Sequence, residues 1–321
     1  MGEVGASEVI AVLDIGGTNT RVGLVCDGCL VGMQRFLTKS SVGADALVEI
    51  IGKVLIETLK NVGIKRRELT AIGVAVPGPI DIVRGAVRKP ANLGWADYPL
   101  RENLEQMFPG AFVVIEDDAR CAALGEAQYG AGRDFGKVWY ATVSTGIGGG
   151  LVVDGRPFRG AHLSAGEWGH MTVAADGPPC LCGKRGCLEA IASGPAILAA
   201  VRARLPGRFE GVDWTTESVF DEFRRGGRVA VDVIHQATDA LARGLAAVMQ
   251  IVDPDVMVLG GGVIEHQGDV LLASLEARVK QYVLPTSRSF VNVVKSSLGD
   301  NAGAWGAYAM VRLSLDAGIR G

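Results

Sequence analysis

The 321 residues include 32 Lys and Arg against 35 Asp and Glu, a formal charge of −3, and 48% are hydrophobic. That length and apolar content support two domains or one large two-lobed unit, and the charge balance excludes bulk nucleic-acid binding, which needs a basic excess. No run approaches the about 20 apolar residues that span a bilayer, and residues 1–8 lack the basic and apolar parts of a secretory leader, so a cytoplasmic protein without a membrane partner is expected.

The first apolar run, residues 9–13, breaks at Asp14-Ile15-Gly16-Gly17-Thr18, resumes over 22–25 and stops at the hairpin dipeptide Asp27-Gly28. This reads as strand, glycine turn, strand. Apolar positions at helical spacing over 44–60 predict a helix packed on that sheet. A strand over 71–76 ends at the rigid loop Pro77-Gly78-Pro79, and another over 113–115 runs into Glu116-Asp117-Asp118, followed by an Ala-rich helix over 119–128.

At Val138 the opening pattern returns. An apolar run, a loop over 145–150, a short run over 151–153 and Asp154-Gly155 repeat the earlier order. The segment from Gly150 to Gly155 matches that from Gly23 to Gly28 at every position except Val153, which stands where Cys26 stood. Two copies of one supersecondary unit imply two related lobes with a cleft between them. From about Ser193 the chain turns helical, with loop breaks near 206–207 and 226–227 and a long helix ending near Asp253. A strand over 255–259 then delivers Gly260-Gly261-Gly262, a helix follows, and the small residues from Gly303 to Ala307 open a closing helix. Strands and helices alternate throughout, which defines an α/β protein.

Three loops share one design, a buried strand ending in glycines that let a ligand approach main-chain N–H groups. In the first, Asp14, Gly16, Gly17 and Thr18 combine a carboxylate suited to a Mg²⁺–phosphate with a hydroxyl. Thr145, Gly146 and Gly148 offer a hydroxyl and N–H donors, and Gly260, Gly261 and Gly262 suit the path under an adenosine. Neither a P-loop nor a dinucleotide fingerprint is present, so the three together point to a nucleotide in an interlobe cleft.

The six cysteines point to metal ligands or buried thiols. Cys180, Cys182 and Cys187 fall within eight residues on a glycine-rich knuckle, ten positions after His170. Three thiolates and one imidazole form a closed tetrahedral set, the structural kind of zinc site. Cys26 and Cys29, which flank the hairpin dipeptide, read as two plain thiols.

With these motifs in view the chain resembles the ROK family (repressors, open reading frames, kinases), and within it the bacterial glucokinase branch. The resemblance runs from about Val9 to Ala309. It rests on Asp14-Ile15-Gly16-Gly17-Thr18, Val76-Pro77-Gly78-Pro79, Asn92-Leu93-Gly94-Trp95, Glu116-x-Asp118-Ala119 and Thr145-Gly146-Ile147-Gly148. It rests further on Glu167-Trp168-Gly169-His170, the stretch from Cys180 to Glu189 and Leu259-Gly260-Gly261-Gly262.

The resemblance implies the two-lobed, actin-like (ribonuclease H-like) ATPase fold of sugar kinases, with residues 1–116 and about 305–321 as the small lobe and 117–304 as the large lobe. It implies transfer of phosphate from ATP with Mg²⁺ to a hexose, glucose O6 first, with N-acetylhexosamine and fructose as rival substrates and polyphosphate as a rival donor. Asp118 would be the catalytic base. Gly78, Asn92, Asp117, Glu167, His170 and Glu189 would line the sugar site, His170 also binding zinc. A homodimer or homotetramer is implied. The family's repressors carry a DNA-binding segment ahead of the first glycine loop, and the dozen residues before Asp14 are too few for one, so regulator function is not expected. One departure stands out: the family usually has Asn where this chain has Asp117, and an ionised Asp only accepts hydrogen bonds. Arg120, close behind, is the expected compensation for the added charge.

Overall fold

The computed structural model describes residues 8–90, 93–205 and 214–318. They form two compact units, the first from the described residues of Met1–Tyr129, Gly160–Ser164 and Asn301–Gly321, the second from Gly130–Arg159 and Ala165–Asp300. No described helix is long and apolar enough to cross a membrane.

The first unit opens with β1 (Val9–Ile15), β2 (Asn19–Cys26) and β3 (Cys29–Leu37), an antiparallel meander. The β2–β3 hairpin turns on two residues, with Asp27 at φ 49° and Gly28 at φ 77°. Both occupy the left-handed region that such a tight turn requires, which is why Asp-Gly sits there. Next come α1 (Ala44–Val62), β4 (Leu69–Val76), the short pair β5 (Ile80–Asp81) and β6 (Ala86–Val87), and α2 (Leu100–Met107). β7 (Phe112–Asp117) then passes directly into α3 (Asp118–Tyr129). The sheet order is β3-β2-β1-β4-β7, with β1, β4 and β7 parallel. One layer of core is built from Ala11, Leu13 and Ile15 of β1 with Leu47, Ile51, Leu55 and Leu59 of α1, all buried.

The second unit repeats this plan. β8 (Lys137–Val143), β9 (Ile147–Val153) and β10 (Arg156–Phe158) form the meander. Among the described residues four α-helices follow: α4 (Glu189–Ala192), α5 (Gly194–Arg204), α6 (Thr216–Arg224) and the long α7 (Arg228–Val252). β11 (Val256–Gly260), α8 (Gly262–Tyr282) and β12 (Val293–Lys295) complete it. The order β10-β9-β8-β11-β12 reproduces the first sheet strand for strand, including which neighbours are parallel. The matching turn, Asp154 at φ 48° and Gly155 at φ 73°, repeats the conformation of Asp27-Gly28. The six-residue sequence repeat is therefore a structural repeat.

The chain returns to the first unit as α9 (Ala302–Asp316), packed on α3 and on β1, β4 and β7. A Cβ on Gly306 would fall 1.7 Å from the carbonyl oxygen of Cys121, and one on Gly125 would fall 2.4 Å from that of Ala302. The small residues of α3 and α9 exist because the two helices meet backbone to backbone. This contact also corrects the expected lobe boundary. The first unit runs past Glu116 to Tyr129, and its closing segment starts at Asn301 rather than near 305, because α3 continues β7 and α9 covers it.

A second correction concerns the glycines after Thr145. The turn is short, with the Ser144 N–H bonded to the Gly146 carbonyl, and Gly148 and Gly149 already lie in β9. A Cβ on Gly149 would meet Trp168 at 2.6 Å and Trp139 at 2.8 Å. Indole packing, not a ligand, demands that glycine.

Candidate functional site

In the first unit four acidic side chains gather where β1 and β7 end. Glu116 is fully buried and its Oε1 accepts from the Asp117 N–H at 2.9 Å and from Arg120 Nε at 3.0 Å. Asp117 sits at the start of α3 and accepts from the Arg120 N–H at 3.1 Å, the bond an N-cap makes. It also accepts from the Gly78 N–H, and a Cβ on Gly78 would lie 2.9 Å from its Oδ2. Gly78 is thus a glycine because the Pro77–Pro79 loop rests directly on this carboxylate. Burial pushes the Asp117 carboxyl up, against the pull of Arg120.

Asp118 follows, half-buried in the first turn of α3, its Oδ1 accepting from the Ala119 N–H at 2.7 Å. Desolvation, then the charges of Asp117 and Asp14, push its pKa up to about 8. The N-cap bond at the start of α3 is made by Asp117, one residue before Asp118. Arg120 compensates the added charge at a distance, while its guanidinium pairs with Glu116.

Asp14 is the second-last residue of β1, with Arg21 Nη1 3.2 Å from its Oδ2. The first turn of α9 leaves room for it, since a Cβ on Gly303 would lie 2.8–3.0 Å from the Asp14 carboxylate. In the turn beyond, the Gly16 N–H bonds to the Asn19 carbonyl, which a Cβ on Gly16 would touch at 2.9 Å, and Thr18 is exposed. Asn92 lies outside the described residues.

The second unit gathers a different set around the start of β9. Glu189, the first residue of α4, accepts from the Ile147 N–H at 2.9 Å, and a Cβ on Gly146 would strike its Oε2 at 2.7 Å. Gly169 lies on the same residue from the other side, its missing Cβ 2.0 Å from the Ile147 carbonyl oxygen. Trp168 is buried and its Nε1 donates to the Gly148 carbonyl at 2.6 Å. Trp95, also buried, packs on Tyr98. The two tryptophans are core residues, as packing predicts. Glu167 is exposed beside buried Trp168, and Thr145 is exposed at the apex of the turn.

His170, Cys180, Cys182 and Cys187 converge, their ligand atoms all within 4.8 Å of one another. Cys180 Sγ lies 3.7 Å from His170 Nδ1 and Cys182 Sγ lies 3.6 Å from Cys187 Sγ. Bonds of about 2.3 Å in a tetrahedron put sulfurs about 3.8 Å apart, so the donor set and its spacing fit a zinc ion. The knuckle is tight: Cys180 N–H bonds to the Lys184 carbonyl, Gly183 has φ 88°, and a Cβ on Gly186 would overlap the Ala174 carbonyl oxygen at 1.6 Å. Lys184 Nζ donates to the His170 carbonyl at 2.8 Å, tying the imidazole's own backbone to the knuckle.

Gly260 ends β11, where a Cβ would meet Tyr140 Oη at 2.5 Å. Gly261 has φ 88° and lies against Thr142 and Val143 of β8, and Gly262 opens α8, which starts without a side-chain cap. Thr142 and Ser144, which face this turn, escaped the sequence reading because nothing in their local pattern marks them. Arg21 escaped it too, being one polar residue on a strand.

A sequence profile described as the ROK family matches residues 10–313. The glucokinase of Thermotoga maritima is 34% identical, over 94% of this chain and 96% of its own. Among solved structures, a ROK hexokinase from Thermus thermophilus has a TM-score of 0.83 at 32% identity, covering 96% of this chain and 99% of its own. A ROK family glucokinase from Streptomyces griseus, in complex with glucose and AMPPNP, has a TM-score of 0.81 at 28% identity and the same coverage.

Proposed function

Because this chain belongs to the ROK family and has the fold of its sugar kinases, we propose that it is an ATP-dependent hexose kinase that phosphorylates glucose at O6. The observation that carries the reading is Asp118, a half-buried carboxyl at the start of α3 whose pKa is pushed up to about 8. A carboxylate that has lost much of its hydration is a far better proton acceptor near neutral pH than an exposed Asp. Asp118 would take the hydroxyl proton as the phosphorus–oxygen bond forms.

Phosphoryl transfer is otherwise a matter of alignment and charge neutralisation. Bound with ATP, Mg²⁺ would supply positive charge at the phosphates. Asp14 would hold that cation directly or through water, with Gly16, Gly17 and Thr18 offering donors to phosphate oxygens. Thr145, Gly146 and Gly148 would also offer donors to phosphate oxygens, and Gly260, Gly261 and Gly262 with the N-terminus of α8, which has no side-chain cap, would take the nucleotide, as helix N-termini bind anions.

Glu167, His170 and Glu189 would accept or donate hydrogen bonds to the sugar hydroxyls, and Gly78, Asp117 and Asn92 would contribute to sugar binding as well. Two bonds to Asp117 come from backbone N–H groups, so its contribution would be to hold the Gly78 loop and offer remaining lone pairs. The cluster of His170, Cys180, Cys182 and Cys187 would hold a structural zinc. With Nδ1 on the metal side, the ring would present Nε2–H as a donor of fixed direction.

A coupled ADP-release assay over glucose, mannose, fructose and N-acetylhexosamines, with ATP or polyphosphate as donor, tests the proposal. The expected result is Mg²⁺-dependent turnover with the highest kcat/KM for glucose and ATP. No sugar-dependent ADP release from folded protein would remove it.

A further inference from the structure

Arg120 does more than offset the charge of Asp117. Its side chain is 4% exposed and joins two parts of the chain from one guanidinium. Nε donates to Glu116 Oε1 at 3.0 Å, and Nη1 donates to the Leu163 carbonyl at 3.2 Å. Its own N–H meanwhile donates to Asp117. Glu116, Asp117 and Arg120 thus bond to one another in a closed set that includes the residue next to Asp118.

The partner on the far side is unusual. Gly160–Ser164 belongs to the first unit although its neighbours in sequence on both sides belong to the second. Leu163 holds φ 60°, a left-handed conformation that costs a branched side chain energy and persists only when its surroundings hold it. The Arg120 bond to its carbonyl is such a hold. This stretch leads within a few residues to Glu167 and His170. One buried cation therefore fixes both the start of the helix that bears Asp118 and the stretch that runs toward the residues assigned to sugar hydroxyls.

We infer that Arg120 is a positioning residue for phosphoryl transfer, holding the Asp117–Asp118 turn and the Gly160–Ser164 segment in one arrangement through its two-pronged guanidinium. The inference rests on the kinase reading of Asp118. The geometry favours a fork: two acceptors on separate segments are reached by two nitrogens of one planar group, which an ammonium cannot reproduce.

The test compares Arg120→Lys and Arg120→Gln with the unaltered protein, kcat being expressed per folded chain from circular dichroism. Both variants are expected to lose about tenfold in kcat, since small misplacements of reacting groups cost that much or more, while KM for ATP stays within about twofold. Arg120→Lys, which keeps the charge, should fail to restore kcat. Should the single variants not fold because a buried Glu116 is left unpaired, the Glu116→Gln/Arg120→Gln double variant removes that ion pair as a unit while Asp117 keeps its two backbone donors, and it is expected to show the same kcat loss. Full kcat per folded chain in any of these variants, or full rescue by Lys, overturns the inference and leaves the kinase reading standing. Absence of sugar-dependent turnover in the unaltered protein sinks the kinase reading and this inference with it.

Discussion

The two units share strand order, strand direction and even the conformation of one hairpin turn, yet they differ in what they bury. The first buries Glu116, Asp117 and Arg120 at the end of β7. The second buries indole rings against Gly149 and keeps the cluster of His170, Cys180, Cys182 and Cys187 on the connection between β10 and α4. At corresponding places in the sheets, β4 ends in the Pro77–Pro79 loop that rests on Asp117, whereas β11 ends in a glycine turn that opens α8. A duplicated sheet supplies a frame that tolerates such divergence, because its stability comes from apolar faces that both copies keep. Chemistry is placed in strand ends and connections, where the frame demands least.

The comparison breaks most sharply at Asp118. In the proposed kinase, Asp118→Asn should lower kcat by about a hundredfold or more while the second unit and its metal site stay intact, measured by steady-state kinetics beside metal content. Near-normal turnover would mean that the acidic cluster of the first unit is not the catalytic one.

The counterpart in the second unit is Cys182→Ser, or removal of zinc by a chelator. Loss of one thiolate should lower bound zinc below one ion per chain, lower the melting temperature, and raise KM for the sugar on the order of tenfold. Because the metal would touch no reacting atom, kcat should fall much less than KM rises. Metal analysis and a KM series decide this.

The pH dependence separates the units further. Asp118 must lose its proton to act as base, and its pKa is raised to about 8. Activity of the free enzyme should therefore decline as pH falls through a midpoint well above the ordinary carboxylate range of about 4. Stability runs the other way. A carboxyl with a raised folded-state pKa contributes stability below its unfolded value, and that contribution is lost as pH rises toward 8. Asp118→Asn should thus melt higher than the unaltered protein above pH 8, with the gap closing as pH falls toward 4. A gap that widens on acidification would contradict the burial described for this carboxyl.

The smallest effects test the frame itself. Gly149→Ala pushes a methyl into Trp168 and Trp139 and should cost about 1–3 kcal/mol. Gly28→Ala and Gly155→Ala meet open space but keep a positive φ, so each should cost about 1 kcal/mol from backbone strain alone. Equal losses from the last pair, by chemical denaturation, would show that the repeated turn carries the same energetic role in both units.

Much of this was legible in the chain. Strand–turn–strand order, the long helices, the duplication and the cysteine knuckle beside His170 each depend on neighbours within a few residues or on a motif of fixed spacing, and local pattern is what a sequence displays. The short strands β5, β6, β10 and β12 and the helix α2 went unread because too few residues carry their periodicity. The extended loop expected after Thr145 failed for another reason: glycines signal close approach without saying to what, and here the neighbours are tryptophans and strand backbone.

What the amino-acid order determined by itself was the family of arrangement: alternating α and β elements, glycine turns at strand ends, and which side chains could do chemistry. Only tertiary structure decided that Asp117 caps α3, that Arg120 pairs with Glu116 and reaches Leu163, and that α9 returns to α3 through glycine contacts. The Leu163 and α9 contacts join residues far apart in the chain, and the cap and the Glu116 pair, though local in sequence, sit in a low-dielectric interior where a carboxyl's partners and desolvation set its proton affinity. No local pattern encodes that environment.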